Sequence, residues 1–115
     1  MSGRYNKEVG DAWEELVAQD YQHRWYTILE RKYKKSDGEI DIIAQNAQTL
    51  VFVEVKTVDH VDDLYEYVSK KKIALIQRTI NYYLWGHTTK KEIVLDVVFV
   101  RNNAIIERYH NVTNN

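Results

Sequence analysis

Two apolar runs decide the fold of this chain: Gly38-Glu39-Ile40-Asp41-Ile42-Ile43 and Leu50-Val51-Phe52-Val53-Glu54-Val55-Lys56. Both are rich in Val, Ile and Phe, a composition that favours buried β-strands. The polar residues 44–49 between them have the length of a hairpin connection. The two runs are therefore predicted to form adjacent antiparallel strands, with Gln45 opposite Leu50.

Each run carries charged residues at positions where a buried strand would carry Val or Ile. Because alternate strand residues point to opposite faces, Glu54 and Lys56 share a face with Phe52, and the hairpin register places Asp41 opposite Glu54 and Glu39 opposite Lys56. Two adjacent carboxylates repel each other, so a positive group is expected between them. Lys56 can supply part of that charge and a divalent cation the rest, since carboxylate oxygens suit a hard ion such as Mg²⁺. The alternative is a solvated strand face with a Glu–Lys pair.

Asp41 followed by Glu54-Val55-Lys56 resembles the core of the PD-(D/E)XK nuclease superfamily. More closely, Gly-Glu-Ile-Asp-Ile-Ile-Ala at 38–44 and Leu-Val-Phe-Val-Glu-Val-Lys-Thr at 50–57 resemble the YraN-like family. These are small bacterial proteins similar to archaeal Holliday junction resolvases, and the resemblance extends from about residue 10 to residue 112. It implies a restriction-endonuclease-like core and a metal-dependent endodeoxyribonuclease, with branched DNA as a candidate substrate.

The resemblance also assigns metal ligands. It implies that Asp41 and Glu54, with the Val55 carbonyl, hold Mg²⁺, with Mn²⁺ as an alternative ion. Resolvase-like nucleases carry a Gly four residues before a helical Glu near the metals, and Gly10 and Glu14 match that pattern. Glu14 would then complete the ligand shell or engage a second ion.

Two lysines are assigned to the same site. Lys56 would orient the attacking water or stabilise the charge that develops on the scissile phosphate. Lys72 falls on the apolar stripe of a helix, where a lysine must reach solvent or find an anion, and the family also places a Lys here. The chain departs from the family at Val58 and Val94, where Arg is usual, which puts the role of those Arg residues in doubt here.

Two helices are predicted from apolar residues at helical spacing. The first runs from about Tyr5 to Gln22, with Trp13 in its apolar stripe, Glu14 on the flank of the stripe and Glu15 on the solvated side. The second is predicted from about residue 61 to residue 85 and ends at a Gly, as helices often do. An alternative is that this helix is broken near residue 69.

Three further strands complete the predicted sheet: residues 25–31, 92–100 and 104–109, the last two joined by an Asn102-Asn103 turn. Asp96 interrupts the fourth strand and is expected to act as a structural hydrogen-bond acceptor. The predicted fold class is α/β, with a mixed five-stranded sheet flanked by helices in the order α-β-β-β-α-β-β. The 115 residues are predicted to form a single domain.

Composition limits the function only weakly. The formal net charge is −1, whereas a dedicated nucleic-acid binder is often strongly basic. Local basic residues can still follow a phosphate backbone, and four are predicted to do so: Arg31, Lys32, Lys34 and Lys35. The alternative for this cluster is a solvated strand end.

Cysteine is absent, which excludes disulfides and thiolate metal sites. No run is long enough to cross a membrane, and no secretory signal pattern is present. A cytoplasmic protein without membrane contact is therefore expected.

Two other functions stay open beside the nuclease. A non-catalytic nucleic-acid-binding module with the same fold would bind DNA with steep salt dependence and give no product. A protein-interaction domain with a Tyr-rich surface would not bind DNA at any salt concentration. Resolvase-like enzymes cut two strands as dimers, so a homodimer is expected by analogy.

Overall fold

A computed structural model of the protein describes residues 3–58 and 70–112, with side chains for residues 10–58 and 72–112. Its elements follow in the order α1 (Gly3–His23), β1 (Thr27–Lys35), β2 (Gly38–Gln45), β3 (Thr49–Thr57), α2 (Lys70–Gly86), β4 (Glu92–Arg101) and β5 (Ala104–Tyr109). The predicted α/β class and element order are thereby confirmed. Two predictions lie outside the described residues: the start of the second helix near residue 61, and the alternative that this helix is broken near residue 69.

The five strands form one mixed sheet in the order β1-β2-β3-β4-β5. Neighbouring strands are antiparallel except β3 and β4, which run parallel. Parallel neighbours need a crossover connection, and α2 lies in the connection between them. Neither described helix carries an apolar stretch long enough to span a bilayer.

Each face of the sheet packs against one helix. On the α1 side the buried cluster includes Val17, Tyr21, Ile42, Val53 and Val98, with Trp13 half-buried against it. On the α2 side it includes Ile43, Phe52, Ile76, Tyr83 and Leu95. The sheet is therefore buried on both faces, which explains why its central strands are almost uniformly apolar.

The predicted hairpin register is confirmed next to the turn, because Gln45 pairs with Leu50 and Ile43 with Phe52. The backbone pairing does not extend to the predicted pairs of Asp41 with Glu54 and of Glu39 with Lys56. Asn46 fixes the connection, since its Oδ1 accepts hydrogen bonds from the backbone N–H of Gln48 at 2.9 Å and of Thr49 at 2.8 Å. A side chain thus replaces backbone partners in the turn.

The two-residue turn between β4 and β5 is also confirmed. Asn102 and Asn103 both have positive φ, at 52° and 62°, and Arg101 pairs with Ala104. Asn tolerates this conformation better than other non-glycine residues.

The predicted start of the first strand is wrong. The strand β1 begins at Thr27, because Trp25 has a φ of 70° and belongs to the turn after α1. The Trp25 side chain is 89% exposed. At its other end β1 runs on to Lys35, past the predicted end at Arg31.

Asp96 has the structural role that was expected. The buried carboxylate accepts hydrogen bonds from the Tyr21 hydroxyl at 2.6 Å and from the Asn111 backbone N–H at 3.0 Å. His110 Nδ1 lies 2.8 Å from the same carboxylate. Asp96 therefore ties α1 and the segment after β5 to the centre of the sheet.

Candidate active site

The backbone pairing of β2 with β3 ends at Ile42 and Val53, although both strands continue beyond it. At the next position the Asp41 Oδ2 atom accepts a hydrogen bond from the Val55 backbone N–H at 2.7 Å. A side chain therefore takes the place of a backbone acceptor. The side on which β2 packs also changes here, because Ile42 belongs to the α1-side cluster whereas Ile40, which is equally buried, belongs to the α2-side cluster.

Two clefts open beside this point. The first, which we call the carboxylate cleft, has a volume of about 350 Å³ and lies between α2 and the sheet. Its polar lining residues are Glu39, Asp41, Glu54, Lys56 and Lys72. The second, which we call the tryptophan cleft, has a volume of about 370 Å³ and lies between α1 and the end of β3. It is lined by Gly10, Trp13, Glu14, Val55, Lys56, Thr57 and Lys72.

The carboxyl groups of Asp41 and Glu54 are brought together, as the predicted register required. Burial raises the pKa of the Glu54 carboxyl well above its ordinary value, and the hydrogen bond to Asp41 and the Asp41 charge raise it further. Two adjacent carboxyl groups cannot both ionise without a compensating positive charge, so such a pair retains a proton. This is a position at which a cation could replace that proton.

Glu14 lies on the α1 side of the same region. Burial, followed by the negative charge of Asp41, raises the pKa of the Glu14 carboxyl to about 7, against the opposing charges of Lys32 and Arg31. Its Oε1 atom is buried and has no hydrogen-bond partner among the described residues. Glu15, by contrast, is exposed on the solvent side of α1, as predicted.

The oxygen ligands present here suit a hard divalent ion, but too few of the described side chains converge in this conformation to surround one. Asp41, Glu54 and the Val55 carbonyl supply oxygen ligands, and Mg²⁺ commonly keeps several waters beside one or two carboxylates. Among the side chains described, those of residues 10–58 and 72–112, no three Asp, Glu or His groups converge closely enough to hold one ion. Glu14 thus lies outside such a group here, and its role as a metal ligand stays a prediction.

Lys56 and Lys72 line both clefts. Lys72 was predicted to lie on the buried stripe of its helix, but its side chain is largely exposed. Lys72 is the third residue of α2, and at this end of the helix the carboxylate cleft separates the helix from the sheet. The expectation that Lys72 faces the candidate site agrees with its place in the lining, while its catalytic role stays a prediction.

The four basic residues of β1 divide into two pairs. Arg31 forms an ion pair with Glu15 at 2.8 Å, and Lys32 lies 2.5 Å from Asp11 and 3.7 Å from Glu14. Lys34 and Lys35 are exposed at the end of the strand. A phosphate contact by any of the four stays a prediction, but the first pair already neutralises acidic residues of α1.

Glu39 and Trp13 are lining residues that were not assigned to the site from the sequence. Glu39 lines the carboxylate cleft, and its position two residues before Asp41 on the same strand was the signal for it. Trp13 was assigned to the core. It does pack against the core, but it also lines the tryptophan cleft, and amphipathic spacing cannot distinguish these two roles.

Comparison with known proteins identifies the family. A model described as "Uncharacterised protein family UPF0102" matches residues 13–100, which include the described carboxylates and lysines of both clefts. The chain belongs to the UPF0102 family. The YraN-like resemblance is confirmed at this level, and the relationship to nucleases stays a prediction.

Several UPF0102 proteins are similar to this chain over most of its length. One from Carboxydothermus hydrogenoformans is 32% identical over 112 residues, which cover 92% of this chain and 95% of the relative. One from Dictyoglomus turgidum is 38% identical over 98 residues, covering 83% of each. One from Thermotoga petrophila is 35% identical over 92 residues, covering 80% of this chain and 85% of the relative.

Proposed function

We propose that this UPF0102 protein is a metal-dependent endodeoxyribonuclease. The observation that carries the proposal is the contact between the Asp41 and Glu54 carboxyl groups in a cleft that two lysines also line. A solvated strand face would hold its carboxylates apart and hydrated. Here they share a partly buried position that is unfavourable without a proton or a cation.

In this proposal Asp41, Glu54 and the Val55 carbonyl hold Mg²⁺ or Mn²⁺. The bound ion would lower the pKa of a water and offset negative charge on the scissile phosphate. The hydrogen bond from the Val55 N–H fixes the Asp41 carboxylate in one orientation, and loss of the proton shared with Glu54 would make oxygens of the pair available to the ion. Glu14, on the opposite side of β3, is the residue available to a second ion or to a water.

Lys56 and Lys72 supply positive charge at the place where the two clefts meet. A phosphate held there would lie beside the carboxylate pair, and the lysines would stabilise the charge that develops on its oxygens. The exposed Lys34 and Lys35 would extend this contact along the phosphate backbone. Branched DNA and a homodimer belong to the same proposal, by analogy with resolvase-like nucleases.

The role of Lys56 gives a first prediction. We expect Lys56→Ala to abolish cleavage while Mg²⁺ binding survives, because the carboxylate ligands stay in place and only the charge beside the phosphate is lost. Calorimetry with Mg²⁺ and a gel assay on labelled DNA would measure the two properties separately. Full cleavage by the purified variant would exclude this role for Lys56.

The proposal as a whole is tested on a panel of labelled linear, flapped and four-way DNAs with Mg²⁺ or Mn²⁺, beside an Asp41→Ala control. We expect cleavage of at least one substrate that the control does not cleave, and the substrate cut fastest would define the preferred DNA shape. Binding without cleavage by both proteins would indicate a nucleic-acid-binding module instead.

A further inference from the structure

The tryptophan cleft has features that the proposed hydrolysis does not use. Trp13 is one of its lining residues, and the same side chain packs half-buried against the α1-side core, which holds it in place. An aromatic ring fixed in this way is a surface on which a flat, apolar group can stack. Gly10 precedes Trp13 by three residues on the same side of α1, and a Cβ added there would meet no described atom within 4 Å. Space beside the ring is therefore open.

The polar groups of this cleft complement a nucleotide. Lys56 and Lys72 lie where it meets the carboxylate cleft and can contact a phosphate. Glu14 also lines this cleft, and its Oε1 atom is buried without a hydrogen-bond partner among the described residues. Buried acceptors are normally satisfied, so a turn of the Glu14 side chain that lets its carboxyl group accept an N–H donor from a ligand would be favourable. Every nucleobase carries such a donor in its ring or amino group.

The charge of α1 does not oppose such a ligand as strongly as its acidic sequence suggests. Glu15 is paired with Arg31 at 2.8 Å, and Asp11 with Lys32 at 2.5 Å. These ion pairs lie along the α1–β1 contact and offset the negative charge beside the cleft. The lysines at the meeting point of the two clefts can then attract a phosphate.

We propose that the tryptophan cleft binds one unpaired nucleotide, with its base stacked on Trp13 and its phosphate at Lys56 and Lys72. A volume of about 370 Å³ lies near the lower end of the range for small-molecule sites, roughly 300–1,000 Å³, so it suits one nucleotide rather than a base pair. A base inside a duplex has both faces covered by its neighbours and cannot stack on a protein ring unless it leaves the helix.

This inference rests on the proposed function for its biological meaning. It makes the protein a nuclease that recognises an unpaired nucleotide next to the scissile phosphate, as at a flap, gap or junction. The strand would pass over the end of β3, with the phosphate beside Asp41 and Glu54 on one side and the adjacent base against Trp13 on the other. Binding itself needs no cleavage and can be tested in its absence.

The test uses a protein in which Trp13 is the only tryptophan. Trp25 and Trp85 are 89% and 86% exposed, so Trp25→Phe and Trp85→Phe can be combined without disturbing either cleft. In EDTA, a short oligothymidylate, an oligouridylate of equal length and a blunt duplex are titrated. We expect the single strands to quench Trp13 fluorescence and the duplex to bind several-fold more weakly.

The decisive variant is Trp13→Leu, with Trp13→Phe as its matched control, measured by the anisotropy of labelled oligonucleotides. Because stacking a base on an aromatic ring contributes about 1–3 kcal/mol, Trp13→Leu should weaken single-strand binding about five-fold to a hundred-fold while duplex binding is unchanged. Trp13→Phe should restore most of the loss. Tighter binding of the oligothymidylate would assign the site to DNA, and tighter binding of the oligouridylate would assign it to RNA.

A second variant covers the case in which Trp13→Leu fails to fold. Gly10→Met adds a side chain to this cleft at a position where a Cβ meets no described atom within 4 Å, and it should lower single-strand binding to a similar degree. Unchanged single-strand binding in the folded variants would overturn the inference even if the protein cleaves DNA. Trp13-dependent binding by a protein that cleaves no DNA would instead reject the proposed nuclease and leave the nucleotide site standing.

Discussion

At the scale of single residues, the chemistry depends on two carboxyl groups that share one position. The Asp41 carboxylate is held by the Val55 N–H, and burial together with Asp41 raises the pKa of the neighbouring Glu54. On the far side of β3, burial and the charge of Asp41 raise the pKa of Glu14 to about 7. The metal-free protein therefore carries protons at the positions that a cation would occupy.

Those protons make cation binding dependent on pH. Both pKa values are raised in the folded protein, so a cation must displace protons at neutral pH and binds more readily as the pH rises. We expect the Mg²⁺ affinity to increase as the pH rises through the pKa of Glu14 at about 7 and on towards the still higher pKa of Glu54, with protons released on binding. Calorimetry in two buffers of different ionisation enthalpy measures both quantities. An affinity that is independent of pH, with no proton release, would contradict the assigned site.

Asp41 also contributes to stability, and two substitutions separate its roles. Asp41→Asn and Asp41→Ala both remove the charge beside Glu54, but only Asn keeps an oxygen that can accept the hydrogen bond from Val55 N–H. We expect Asp41→Ala to be less stable than Asp41→Asn by about 1–2 kcal/mol. Urea denaturation at one pH gives the difference, and equal stabilities would show that the hydrogen bond contributes nothing net.

At the scale of elements, the position of α2 is set by its close approach to the start of β2. A Cβ added to Gly38 would lie 1.9 Å from the Oγ1 atom of Thr79, which is buried on the face of α2 that meets the sheet. Only glycine permits this distance without a shift of the helix or a rotation of the Thr79 side chain. Since Lys72 stands on the same helix and lines both clefts, the contact also sets the geometry of the candidate site.

A double-mutant cycle tests this contact. We expect Gly38→Ala to lower the free energy of unfolding by about 1–3 kcal/mol through overpacking. Thr79→Ala removes the clashing oxygen, so the double variant should recover part of the loss, giving a coupling between the two sites. Urea denaturation of the four proteins provides the cycle, and strictly additive effects would exclude the contact as the cause.

At the scale of the whole molecule, local patterns predicted most of the fold. The 38–56 hairpin, its register, α1 and the Asn102-Asn103 turn follow from alternation, helical spacing and turn chemistry within short stretches. The true start of β1 was missed because Trp25 has the β-propensity of a strand residue, whereas the turn after α1 places it at a φ of 70°.

The candidate site could be predicted only in part. Asp41, Glu54 and Lys56 were found because charges interrupt buried strands, which is visible in the sequence. The pairing of Arg31 and Lys32 with acidic residues of α1 joins residues distant in the chain, and no local pattern indicates it. No local pattern indicates that Trp13 lines a cleft or that Lys72 is exposed, because both depend on which parts of the sheet the helices do not cover.

The most direct test of the central claim measures cation binding and DNA cleavage on the same preparations of wild-type protein and Asp41→Asn. Under single-turnover conditions on the preferred DNA, we expect wild-type cleavage to rise with Mg²⁺ in parallel with the occupancy measured by calorimetry. Asp41→Asn, which keeps the acceptor for Val55 N–H, should stay folded, bind Mg²⁺ at least ten-fold more weakly and show no cleavage. Cleavage that persists in this variant, or a saturated cation site that supports no cleavage in the wild-type protein, would contradict the proposed function.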